Sequence, residues 1–168
     1  MPSPHSAAAV AIAVIALSVT PSAGQRFVPT GGDTLRGLPG LELIVETIPA
    51  PLQRAGVTES SVATQVGQLL KAGGVVVFPA QAANPSAGKA YLDLRTTLLA
   101  LRDGSYVIAV EMHVRQTVAS LVTESRIVNA ATWETGRLVS VAATDLARVR
   151  DEIRGMVEEF LADWKAVH

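Results

Sequence analysis

Apolar and polar positions along this chain alternate in some stretches and recur at helical spacing in others. Over residues 41–48, Leu43 and Val45 fall on one side of an extended segment and Glu42 and Glu46 on the other, and Pro49 and Pro51 stop it, which predicts a strand. Residues 59–71 then carry Val62, Val66, Leu69 and Leu70 on one helical face, with Thr58 placed to cap the start and Gly73-Gly74 to end it. The run Val75-Val76-Val77-Phe78, with three β-branched residues in a row, predicts a short buried strand. Two long strands, 90–101 and 105–121, flank Arg102-Asp103-Gly104, and an Asp-Gly pair between alternating segments signals a hairpin. In the second of them Tyr106, Ile108, Val110, Met112 and Val114 take one face and Glu111, His113 and Arg115 the other. One side of this sheet therefore packs while the other meets water. A strand over 127–134 leads through Thr135-Gly136 to a short one at 137–141. The last element is a helix over 145–167, where Leu146, Val149, Ile153, Met156, Val157, Phe160, Leu161, Trp164 and Val167 form one stripe and Thr144 stands as its cap.

The helical stripe needs a partner surface, and the apolar face of the sheet supplies it. The predicted fold class is α+β: a two-layer sandwich, a mostly antiparallel sheet with two helices packed on one face, in the order β-α-β-β-β-β-α. Residues 41–168 form this single domain. Residues 25–40 hold Pro29, Gly31, Gly32, Gly37, Pro39 and Gly40, and read as an irregular leader. The polar loop 81–89, with Asn84, Pro85, Ser86 and Gly88, is a connection of the kind where binding residues also sit.

Residues 1–24 change the picture, because an apolar run over 7–19 is followed by Thr20, Pro21, Ser22, Ala23 and Gly24. That is the outline of a secretory signal peptide, cleaved at or near Gly24. As a helix at roughly 1.5 Å per residue, about 13 residues reach about 20 Å, short of a hydrocarbon core of about 30 Å, which argues against a membrane anchor, and the mature chain is expected to hold no transmembrane span. The alternative is retention of the segment as an N-terminal anchor. The expected location is extracytoplasmic, in the periplasm or secreted. With 49% hydrophobic residues and a formal net charge of −1, nothing favours nucleic acid as a partner. There is no cysteine, which removes disulfides and a lipid-modified cysteine alike, so stability must come from the core.

Candidate chemistry is sparse. His5 and His168 lie at the two ends, leaving His113 as the one histidine inside the domain, and no nucleophile elbow accompanies it. No histidine pair or thiolate exists to bind a metal, and no acidic run resembles a calcium loop. No catalytic residue, metal ligand or cofactor is expected. Asp93 shares a face with Arg95 and, across the Asp103-Gly104 turn, with His113 or Arg115, the pattern of solvated cross-strand charge pairs. Candidate interaction residues are Glu111, His113 and Arg115 on the wet face and Trp133, an aromatic beside the Thr135-Gly136 turn. A place for Trp133 in the core under the last helix is the competing reading.

From Trp133–Gly136 and the helix over 145–167, the chain resembles exported bacterial envelope proteins of unknown function that carry a tryptophan-glycine turn before a C-terminal amphipathic helix. More distantly, over about 35–167 and by topology, it is similar to the lipopolysaccharide-assembly lipoprotein of the outer membrane and the N-terminal domain of the Tol-system periplasmic protein. The absent lipid-attachment cysteine departs from the lipoproteins. The resemblance carries no motif and transfers no site residue. The expected function is that of a non-catalytic envelope protein acting by interaction or assembly, with an envelope protein or a second copy as partner. The alternatives are a carrier of a small apolar ligand or lipid and a hydrolase using acidic residues only.

Overall fold

The computed structural model describes residues 25–79, 89–119 and 126–168. The expected signal segment, nearly all of the polar loop 81–89 and the end of the 105–121 strand lie outside the described residues. Five of the strands are β2 (Leu41–Val45), β3 (Val77–Phe78), β4 (Tyr91–Ala100), β5 (Tyr106–Ala119) and β6 (Arg126–Val141), and β3 is not the buried strand expected over 75–78 but a half-buried pair at the sheet edge, preceded by exposed Val76. With β1 (Gln25–Thr30) they form one six-stranded sheet in the order β1-β6-β5-β4-β2-β3. The pairs β1/β6, β6/β5 and β5/β4 are antiparallel, while β2 runs parallel to both β3 and β4. The fold is an α+β two-layer sandwich, as the pattern of elements predicts.

Helices α1 (Ala50–Arg54), α2 (Glu59–Ala72) and α3 (Val149–Val167) make the second layer. Thr58 caps α2 through a reciprocal pair: its Oγ1 accepts from Ser61 N–H at 3.2 Å, and its own N–H donates to Ser61 Oγ at 3.0 Å. Val62, Val66 and Leu70 of α2 and Val149, Ile153, Met156, Val157 and Phe160 of α3 are fully buried in one cluster with Leu92, Leu94, Ile108, Val110, Met112 and Val114 of the sheet. Each such side chain contributes about 1.5–3 kcal/mol relative to exposure, which is why the two amphipathic stripes fix the sandwich. Gly73 at the end of α2 lies against α3: a Cβ there would sit 2.3 Å from Leu161 Cδ2.

Four further expectations are corrected. Residues 25–40 are not irregular: they hold β1 and a 3-10 turn at Gly32–Leu35. β1 gains its hydrogen bonds by lying on the free edge of β6, and its register shifts between Phe27 and Thr30, the stretch containing Pro29, where a missing N–H breaks no regular ladder. The two strands at 127–134 and 137–141 are one, because Thr135 and Gly136 stay extended and pair with Met112 and Glu111. Pro49 and Pro51 end the first strand but also start α1, with Pro49 as its N-cap. The last helix is entered through a 3-10 turn at Ala143–Arg148 with Ala142 as N-cap, so Thr144 lies inside the turn and bonds Asp145 Oδ1 at 3.2 Å instead of capping the helix.

Gly31 shows how tightly the segment after β1 approaches the sheet. Its φ is +87°, and a Cβ on it would lie 1.8 Å from the Thr132 carbonyl oxygen. Thr34 Oγ1 donates to that same carbonyl at 2.8 Å. Leu35 is fully buried at the end of this turn.

Candidate functional site

Alternation on β5 divides the charged from the apolar residues. Ile108, Val110, Met112 and Val114 point to the helices, and Glu111, His113 and Arg115 to the opposite, open face of the sheet. The register then sets rows across that face. Asp93 of β4, His113 of β5 and Glu134 of β6 are direct partners in one row, and Arg95, Glu111 and Gly136 in the next. Glu46, one residue past β2, donates its N–H to Leu94 O at 2.9 Å and so stands beside β4.

Two ion pairs order the middle of this surface, and a third, Lys89 Nζ to Glu42 at 3.5 Å, lies toward β2. Arg95 donates from Nε and Nη2 to the two carboxylate oxygens of Glu46, each at 2.9 Å, a bidentate fork. Arg115 Nε lies 3.5 Å from Asp93 Oδ2. The two acids respond in opposite senses. The hydrogen bond from Arg95 holds Glu46 below the usual carboxylate range. Asp93, only 5% exposed, is pushed up by burial and then by the charge of Glu46, against the pull of Arg115. Between Asp93 and Glu134, the Nδ1 of His113 is buried without a hydrogen-bond partner. Glu111 and Glu134 form no salt bridge among the described residues.

Farther along the same strands the open face turns apolar. Leu99 pairs with Val107, and Leu138 with Ala109. Leu99 is 61% exposed and Leu138 38% exposed, where a purely solvated face would carry polar side chains.

The structure thus brings Glu111, His113 and Arg115 together, with Asp93 one position from where a turn centred on Asp103-Gly104 sets it. Trp133 does not join them. It pairs with Val114 on the helix-facing side, is 1% exposed, and donates from Nε1 to Asp163 Oδ2 at 2.8 Å. Its parity on β6, continuous with Thr135, Arg137, Val139 and Val141, aims the indole at α3, where Phe160 meets it edge-on at 5.1 Å between ring centroids. As an interaction residue Trp133 is therefore corrected to a core residue.

Sequence reasoning missed Glu134, Leu138 and Arg137, all on β6. Reading Thr135-Gly136 as a turn broke the alternation there, whereas Trp133, Thr135, Arg137, Val139 and Val141 continue one helix-facing series. Arg137 is 2% exposed between the layers. It donates to Glu159, lies 3.9 Å from Glu152, and shares Glu159 with Thr135, whose Oγ1 donates to Oε2 at 3.2 Å. In the row of Arg137 and Val110, Thr96 Oγ1 is buried without a partner.

No group of three or more metal-ligating side chains occurs among the described residues, and no helix among them is long and apolar enough to cross a membrane. The interlayer space is filled by Trp133, Phe160, Met112, Met156 and their neighbours. No family model, curated protein or solved structure matches the chain.

Proposed function

We propose that this chain is an exported, non-catalytic protein of a bacterial cell envelope that acts by binding another protein through the open face of its sheet. The observation carrying this reading is the exposed pair Leu99 and Leu138 beside an ordered array of charges, on a face that the described helices leave free. The apolar segment over 7–19 supports export, and cleavage near Gly24 leaves β1 whole for its place on the sheet edge. An envelope protein or a second copy is the expected partner. A carrier of an apolar ligand draws no support from the interlayer space, which core side chains occupy.

Site-specific photocrosslinking in the native host tests it, with the probe at Leu99 or Leu138 and, as control, at Glu158 on the exposed side of α3. One discrete adduct from the sheet positions and none from the helix is the expected result. Equal labelling from all three positions, or none, removes the open face as the binding surface. Intact mass of the protein from the extracytoplasmic fraction reports the cleavage point in the same preparation.

A hydrolase using acidic residues alone is the second reading. Asp93 and Glu46 favour it, since neighbouring carboxylates shifted in opposite directions are the usual arrangement of an acid and a base. Asp93→Asn with unchanged partner crosslinking but loss of a hydrolytic activity would establish this reading over the first.

A further inference from the structure

Resting on the interaction reading, we infer that the partner presents a basic-apolar polypeptide segment, with lysine or arginine side chains for Glu111 and Glu134 and an apolar anchor for Leu99, Val107 and Leu138. On this face of the sheet five carboxylates, Glu42, Glu46, Asp93, Glu111 and Glu134, meet three cationic groups among the described residues, Lys89, Arg95 and Arg115, and Lys89 Nζ lies 3.5 Å from Glu42. Arg95 is engaged bidentately by Glu46 and Arg115 lies beside Asp93. Glu111 and Glu134 are the acids left over. They sit on adjacent strands, diagonal across the His113 position, a placement in which like charges repel each other mildly. Arg95, opposite Glu111 on β4 but forked to Glu46, offsets only part of that repulsion, and a cationic partner offsets the rest.

The geometry also sets a spacing. On β5, Val107 and Glu111 are four residues apart on one face, and on β6 Leu138 and Glu134 are likewise four apart. At roughly 3.3 Å per residue each apolar position lies about 13 Å from its carboxylate, along two adjacent tracks. An extended partner segment with apolar and basic residues four positions apart matches both tracks at once. The two carboxylates are reached through water, so the charge component of binding weakens as salt shortens the screening length to about 8 Å at physiological ionic strength.

The test uses three synthetic probes: a peptide Leu-Ser-Leu-Ser-Lys-Ser-Lys, a twin with glutamate in place of lysine, and a twin with serine in place of leucine. Each is titrated into the folded mature protein and followed through its backbone amide NMR signals. The lysine-leucine peptide is expected to shift signals of β4, β5 and β6, with both twins weaker by about tenfold, a difference of about 1.4 kcal/mol. The double variant Glu111→Gln, Glu134→Gln is expected to lose most of the lysine preference and most of the salt dependence while melting like the parent, since neither side chain holds a salt bridge. Equal or tighter binding of the glutamate twin at the open face overturns the charge assignment and leaves the interaction reading standing. Shifts confined to other surfaces, or none with any probe, overturn this inference; when the photocrosslinks at Leu99 and Leu138 are also absent, the interaction reading falls with it. Self-association that buries Leu99 and Leu138 overturns the basic segment in favour of a second copy.

Discussion

The indole N–H of Trp133 and the Oδ2 of Asp163 meet at 2.8 Å, and this bond ties the middle of β6 to the last turns of α3. Without it a buried donor would have no water to turn to, because Trp133 is almost wholly enclosed. Asp163→Ala is therefore expected to destabilise the fold by about 1–3 kcal/mol in urea unfolding. With Trp133→Phe already present, the same change should cost far less, and a cost that persists in that background would place the role of Asp163 elsewhere.

Phe160 sits between Trp133 and Trp164, at 5.1 Å and 5.8 Å between ring centroids. Phe160→Ala empties the centre of this aromatic cluster and is expected to cost about 3–5 kcal/mol. Thermal melting checks it; a variant that melts like the parent would contradict the packing of α3.

Gly31 and Gly74 share a positive φ, +87° and +88°, yet differ in surroundings. A Cβ on Gly74 meets nothing within 4 Å, whereas one on Gly31 collides with the Thr132 carbonyl. Gly74→Ala should cost only the backbone strain, about 1–2 kcal/mol, and Gly31→Ala clearly more. Chemical denaturation of the two variants side by side provides the comparison, and similar midpoints would mean that the turn after β1 is not held against the sheet.

Arg137 supplies a test of buried charge. Removing Glu152 and Glu159 together strands a guanidinium between the layers and is expected to cost about 3–5 kcal/mol. Adding Arg137→Met to that pair of changes removes the stranded charge and should restore most of the loss. Failure of the triple variant to recover would mean that the carboxylates act on α3 alone.

The open face predicts two pH responses of opposite sign. Asp93 is raised above its ordinary 3.8 mainly by burial, so its contribution to stability is complete below that value and is lost as pH rises through the raised one. Glu46 is lowered from 4.5 mainly by the hydrogen bond from Arg95, so its contribution is present above 4.5 and is lost as pH falls through the lowered value. Urea unfolding of Asp93→Asn and Glu46→Gln across the acid range should give stability differences from the parent that slope in opposite directions. Slopes of the same sign would refute the assigned environments.

Where side-chain period alone decides the outcome, the sequence was readable. Val62, Val66 and Leu70 on one helix and Ile153, Val157 and Phe160 on another declare their buried faces, and the Asp103-Gly104 turn placed Asp93 within one position of its partner His113. What stayed hidden depends on partners distant in the chain. β1 is extended only because β6 offers it an edge, and nothing in Gln25–Thr30 announces that edge. Gly136 looks like a turn residue and is a strand residue because Glu111 and Phe27 flank it. The parallel pairing of β2 with β3 follows from the path of α2 between them, a property of the whole crossover and not of either strand. The charged face was legible as a set, whereas the near-complete burial of Asp93 and the exposure of Leu99 and Leu138 were not, since both depend on how far other parts of the chain reach over the sheet.

The pairing of β1 with β6 also has a consequence in time. A chain made from its N-terminus releases β1 first among the described strands, while β6 follows only after every other strand of the sheet. Throughout that interval β1 has no edge to join, and pairing across so long a stretch of chain is slow to form. The sheet can therefore be completed only once nearly the whole polypeptide is present. A product truncated ahead of Arg126 would lose its beginning as well as its end, with the Gln25–Thr30 segment left as an unpaired strand for proteases to find.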